Sequence, residues 1–235
     1  MLFWRNQPCC FKTRLVIVVA LIFFPACSSF QRAKEPIKVD NLAYRIEAGL
    51  ADAQFDKLFS SDLVRRKINV FYYTDDDIVC MEYNLRLTNY SLFWDEENRM
   101  AFIEALNRYK EDYSQHSLTK NYLRTKRKYG SVNSLIMWYT YQRSAQGIAY
   151  PKLEFGYYLK NKLPYFAITQ READNVSDVT RREQELIPNM ILYFTRAQAD
   201  IIAGIFDPDY LKILQQAERT SDAKQDTVPQ AEIDY

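Results

Sequence analysis

Two neighbouring runs, Ile68 to Thr74 (INVFYYT) and Ile78 to Thr88 (IVCMEYNLRLT), constrain this chain more than any other feature. In the second, Val79, Met81, Tyr83, Leu85 and Leu87 alternate with Cys80, Glu82, Asn84, Arg86 and Thr88, the period of a strand with one buried face. Asp75, Asp76 and Asp77 separate the runs, and Asp in a turn hydrogen-bonds its own backbone. The pair reads as a β-hairpin. Calcium is the competing reading of three acids, but the helix-loop-helix calcium motif needs a glycine and a twelfth-position Glu that this loop lacks.

The pattern continues on both sides. Leu42 to Ile46 is a first short strand, and Phe55, Leu58, Phe59 and Leu63 recur at helical spacing, which predicts a short amphipathic helix from Ala51 to Leu63. Asp95 followed by Glu96 and Glu97 puts a cap and negative charge at a helix N-terminus, and Phe102, Ile103, Leu106, Tyr109 and Tyr113 form that helix's apolar stripe. Residues 114–133 read as an exposed loop. Ser134 to Gln142, Lys152 to Lys160, Pro164 to Gln170 and Met190 to Phe194 read as strands, with a tight turn at Lys160-Asn161-Lys162. Arg171 to Pro188 reads as a flexible excursion. Thr195 and Gln198 form a capping box for a helix carrying Ala199, Ile202, Ala203 and Phe206, and Asp207-Pro208 breaks it. The expected fold is α+β: a mostly antiparallel sheet of five to six strands with two to three helices packed on one face.

Ahead of this domain stands Arg14 to Ser29, RLVIVVALIFFPACSS. Arg5, Lys12 and Arg14 form a positive region, Leu15 to Phe24 an uninterrupted apolar stretch, and Pro25-Ala26-Cys27 a breaker, a small residue and a thiol, the order of an export leader. The apolar stretch is about half of the roughly 20 residues that cross a bilayer core as a helix, so a processed leader fits better than a permanent span. Leu21 to Ser29 resembles the end of a bacterial lipoprotein leader, in which a peptidase cuts before a cysteine that carries diacylglycerol on its sulfur. Ala26 matches that pattern, and Phe24 and Pro25 look like the looser lipoboxes of spirochaetes. The resemblance implies a mature chain beginning at an acylated Cys27 and anchored in a membrane. Cleavage after Ser28 by the ordinary signal peptidase is also open, since Ala26 and Ser28 are small, and it would release a soluble protein. The resulting division is residues 1–26 as signal peptide, 27–38 as tether, 39–217 as one globular domain and 218–235 as a disordered tail.

Charge and cysteine usage narrow the chemistry. Removing Arg5, Lys12 and Arg14 takes the 31 basic residues to 28 against 30 acidic ones, so neither nucleic acid nor an anionic surface is favoured globally. Cys9 and Cys10 leave with the leader and Cys27 would be acylated. Cys80 then stands alone in the domain, without a disulfide partner, and reads as a small core residue. His116 has no cysteine near it, which excludes the usual zinc sites. The five glycines form no phosphate loop, no Gly-x-Ser-x-Gly occurs, and the adjacent acids Asp95, Glu96 and Glu97 cannot face one another across a sugar. No cofactor and no metal are expected.

Two groups remain as candidate surfaces. Lys120, Arg124, Lys126, Arg127 and Lys128 could meet an anionic partner such as lipid headgroups, and equally form a solvated loop. Trp138, Tyr139, Tyr141, Tyr157, Tyr158 and Tyr165 could form a binding surface, and equally the core of a helix-covered sheet. The expectation is an exported envelope lipoprotein facing the periplasm or cell surface, held to the membrane, by analogy with enteric sorting the outer one, through Cys27. It acts without catalysis by contacting another envelope protein. The alternatives are a hydrophobic or aromatic ligand or lipid held between sheet and helices, and a carboxylate-dependent hydrolase. Nucleic acid is not an expected partner.

Overall fold

The structure, a computed structural model, describes residues 37, 39, 44–57, 60, 62–119, 129–141, 146–177 and 186–225. Among them, β1 (Ile46–Asp56), β2 (Leu63–Tyr73), β3 (Ile78–Leu85) and β4 (Thr88–Trp94) form a meander that leads into α1 (Glu96–Ser114). There follow β5 (Gly130–Asn133), β6 (Leu135–Thr140), β7 (Gln146–Ala149), β8 (Lys152–Lys160) and β9 (Leu163–Gln170). The chain ends in β10 (Ala173–Asp174), β11 (Leu186–Ile187), β12 (Met190–Phe194), α2 (Arg196–Phe206) and α3 (Pro208–Gln225).

Ten strands join in one antiparallel sheet, in the order β5-β8-β9-β12-β1-β2-β3-β4-β6-β7. This curled half-barrel overturns the expected α+β sheet of five to six strands. One reason is the stretch read as a helix from Ala51 to Leu63. It belongs to β1 and the start of β2, with Ala51, Ala53 and Phe55 turned inward and paired across to Ile68, Arg66 and Val64. Its helical spacing arises because the count runs across two strands and their connection. The other reason is a turn at Arg86-Leu87, where Arg86 adopts φ 62°, so that Leu85 pairs with Thr88. The long run from Ile78 to Thr88 thereby splits, and Thr88 to Trp94 becomes a strand of its own.

The two ends of the sheet are joined by the chain itself. Only Ser134 separates β5 from β6, and only Tyr150-Pro151 separate β7 from β8. Asn133 pairs with Lys152 and Ile136 with Ala149 in one unbroken register, and the Ser134 amide donates to the Pro151 carbonyl at 3.1 Å. A single bent hairpin therefore pairs with β9 on one side and with β4 on the other, which draws the sheet into its curl.

Exposed strand edges invite unwanted pairing, and both are covered. Along β5, Asn98 of α1 donates to the Asn133 carbonyl at 2.9 Å and Arg108 donates to the Tyr129 carbonyl at 3.4 Å. Along β7, the Ile148 amide donates to Asn175 Oδ1 at 3.1 Å, and the Val176 amide donates to the Ile148 carbonyl at 2.8 Å. Residues 173–177, expected within a flexible excursion, serve here as an edge cap.

Helices fill the inner face. Phe102 of α1 lies with its ring centroid 5.2 to 6.1 Å from those of Phe206, Phe166, Trp94 and Phe155, mostly edge-to-face, the geometry aromatic quadrupoles favour. Asp95 caps α1 by accepting from the Asn98 amide, and Thr195 with Gln198 closes the capping box of α2. At the bulge of β1, Gly49 adopts φ 152°, and a Cβ there would stand 3.0 Å from Ile205 Cδ1.

The acidic turn has a structural partner. Arg99 is 2% exposed and donates to both carboxylate oxygens of Asp77 at 2.9 and 3.0 Å, to the Asp77 carbonyl at 2.7 Å and to the Trp94 carbonyl at 3.1 Å. This fork ties α1 to the β2–β3 turn. Tyr72 donates to the same Asp77 carboxylate, and burial together with that charge pushes its phenol up to about 12.

Candidate functional site

Side chains of alternate parity on β2, β3, β4, β6 and β7 point away from the helices, and this outer face has a covered half and an open half. In the covered half, Tyr73, Ile78, Cys80, Phe93 and Leu135 form a small apolar cluster, and Ile37 and Val39 from the segment ahead of β1 pack onto it. Burial pushes the Cys80 thiol up, so it stays protonated.

In the open half, strand register sets two parallel rows of side chains. Asn69 pairs with Glu82, Glu82 with Ser91, Ser91 with Met137, and Met137 with Ile148. Beside this row, Asn84 pairs with Asn89, Asn89 with Tyr139, and Tyr139 with Gln146. Two clefts lie over the rows and meet at Tyr139, which is 47% exposed and lines both. One cleft, of about 450 Å³, is walled by Met137, Ile148, Trp138, Gly147, Gln146 and Ser177. The other, of about 340 Å³, holds Lys67, Arg66, Asn69, Glu82, Asn84 and Asn89. Arg45 ion-pairs with Glu82 and lies 3.8 Å over the Phe71 ring, so the carboxylate of this cleft is already engaged.

Trp138 crosses Gly147 so closely that a Cβ at 147 would stand 2.2 Å from Trp138 Cζ2 and 2.6 Å from Asn175 Nδ2. Glycine is the one residue that fits. The indole N–H of Trp138 is buried without a hydrogen-bond partner among the described residues.

The six candidate aromatics do not form one surface. Trp138 and Tyr157 are buried on the inner face, and Tyr157 packs 6.2 Å from Tyr129. Tyr158 and Tyr165 gather around Tyr193 at 5.6 and 6.5 Å. Tyr139 and Tyr141 are exposed, and of these Tyr139 faces the clefts. Cys27 and the basic run Lys120, Arg124, Lys126, Arg127 and Lys128 lie outside the described residues. Met137, Ile148, Asn69, Asn84, Asn89 and Ser91 were not singled out in the sequence. Their signal was present as outward-phase positions on neighbouring strands, but only the register brings them together.

Among the described residues, no three His, Cys, Asp or Glu side chains gather as metal ligands, and no helix is long and apolar enough to cross a membrane. A family described as "Uncharacterised Treponema protein" matches residues 44–212 through its model. The chain belongs to that family. The match to the Treponema family runs from just ahead of β1 into α3 and includes every strand of the sheet, whereas Ile37 and Val39 lie outside it. No curated protein and no solved structure matches the chain.

Proposed function

We propose that this chain is an exported envelope protein that works as a binding domain without catalysis, contacting another envelope protein through the outer face around Tyr139. One observation carries the reading: the space between sheet and helices is filled by Trp94, Phe102, Phe155, Phe166 and Phe206, whereas the clefts beside Tyr139 are open. Rigid aromatics at the centre of a contact surface contribute disproportionately to binding. The filled interior leaves a ligand little room at the position first considered for it. Against hydrolysis, Glu82 in the cleft is tied to Arg45 instead of facing a second acid across it.

The address rests on the leader. Arg14 to Ser29 has the charge, apolar run and small-residue order of export, and membership in a Treponema family fits the spirochaete-like form of Phe24-Pro25-Ala26-Cys27. Cys27 then carries the lipid, and the domain hangs from it on about ten residues before Ile37, a reach of at most roughly 35 Å.

Mass spectrometry of the mature protein tests the anchor. An acylated N-terminal Cys27 is expected, and an unmodified chain starting at Ser29 contradicts it. Chemical cross-linking in the native envelope tests the contact. An adduct with a second envelope protein is expected from the wild type and its loss from Tyr139→Asp, whereas recovery only as a free monomer contradicts the binding role.

A further inference from the structure

We infer that the groove over the two outer rows receives an extended peptide segment of the partner, with an apolar residue seated against Met137 and Ile148 and acidic residues reaching Lys67 and Arg66. The inference rests on the binding role proposed above and names the chemistry of the occupant.

The dimensions suit such a segment. From β7 to β2 the groove crosses four interstrand spacings of about 4.8 Å, roughly 19 Å, the length of about six extended residues. The lining suits its backbone. Asn69, Asn84, Asn89 and Gln146 are spread across the rows, and a carboxamide offers a donor and an acceptor side by side, as a peptide group requires. Asn84 spends one donor on Asn89 Oδ1 at 3.0 Å, so the Asn89 NH₂ and the Asn84 carbonyl oxygen take no part in that bond. Tyr139, between the two clefts, supplies a flat apolar wall with a polar tip.

Polarity sets the direction. The β6–β7 end is apolar through Met137 and Ile148. At the other end, Arg45 neutralises Glu82 and Arg65 pairs with Asp52, the strand partner of Lys67, so each acid is matched by an arginine and Lys67 and Arg66 leave that end positive. The same sheet face also holds a piece of this chain in a related way. Ile37 and Val39, two positions apart, both pack onto it, the spacing of an extended strand laid on a surface.

Fluorescence anisotropy with synthetic hexapeptides tests the inference. The probe has phenylalanine at one end, two aspartates at the other and serine or glycine between, made in both chain directions. Saturable binding is expected in one direction, weakened tenfold or more when lysines replace the aspartates, when serine replaces the phenylalanine, or when the protein carries Lys67→Glu or Tyr139→Ala. Circular dichroism of both variants should match the wild type. No saturable binding, equal binding of the lysine peptide, indifference to Lys67→Glu, or displacement by a neutral oligosaccharide such as chitotriose overturns it. If envelope cross-linking still finds a partner while the peptides fail, the peptide inference falls and the binding role stands.

Discussion

On β3, adjacent residues live in different surroundings. Val79, Met81 and Tyr83 join the helix-side core, while Cys80 shares a small cluster with Ile37, onto which Val39 packs, and Glu82 and Asn84 line an open cleft. The inner face is continuous, aromatic and closed by α1 and α2. The outer face changes along the strands from an apolar covered half to a polar open half. The difference shows where selection for packing ends. Inner positions need volume and shape, whereas the open outer positions combine amides, a tyrosine and charges of both signs that packing alone does not require.

Substitutions should separate the faces, beginning with the largest loss. Phe102→Ala removes a ring that touches four others, and urea unfolding should show a loss of about 3 to 5 kcal/mol. A loss under about 1 kcal/mol would mean that the inner face is not close-packed. Asp77→Asn keeps a residue that tolerates positive φ but leaves the Arg99 charge without its carboxylate. A loss of about 2 to 3 kcal/mol is expected, below the full cost of breaking a buried pair because the Asp77 side chain is half exposed. In the same network, the Tyr72 phenol is raised to about 12 when folded. Above the unfolded value near 10 only the unfolded state ionises, so stability present below pH 10 is lost progressively towards pH 12. A stability plateau through that window would contradict the burial of the Tyr72 phenol beside Asp77.

On the covered half, Ile37→Ser should cost about 1 to 2 kcal/mol and speed maleimide labelling of Cys80, since both residues belong to one small buried cluster. Labelling at the wild-type rate would show that Ile37 does not guard it.

Much of the strand pattern was legible. The hairpin around Asp75 to Asp77, the turn at Asn161-Lys162, the cap at Asp95 and the capping box at Thr195 and Gln198 are local devices, readable from a few neighbouring residues. The half-barrel was not, because its curl depends on pairings between distant segments, such as Gln54 with Tyr193 and Phe93 with Leu135. Ala51 to Leu63 misled because alanines and a phenylalanine satisfy a helical count as readily as an alternating one. The groove was hidden for the same reason as the curl. Tyr139 stood among the aromatic candidates, but Asn89 becomes its neighbour only through the β4–β6 register, and Asn69 joins the groove only through three.

The most direct test of a binding outer face against a structural inner one places a photoreactive phenylalanine at position 139 in the groove, or at exposed position 100 on α1, in the native envelope. Tyr139→Ala should leave the free energy of urea unfolding within about 0.5 kcal/mol of wild type, so the probe at 139 is not expected to disturb the fold. A discrete adduct with a second envelope protein from position 139, and not from position 100, is the predicted result. Adducts from position 100 alone, or equally from both, would contradict it.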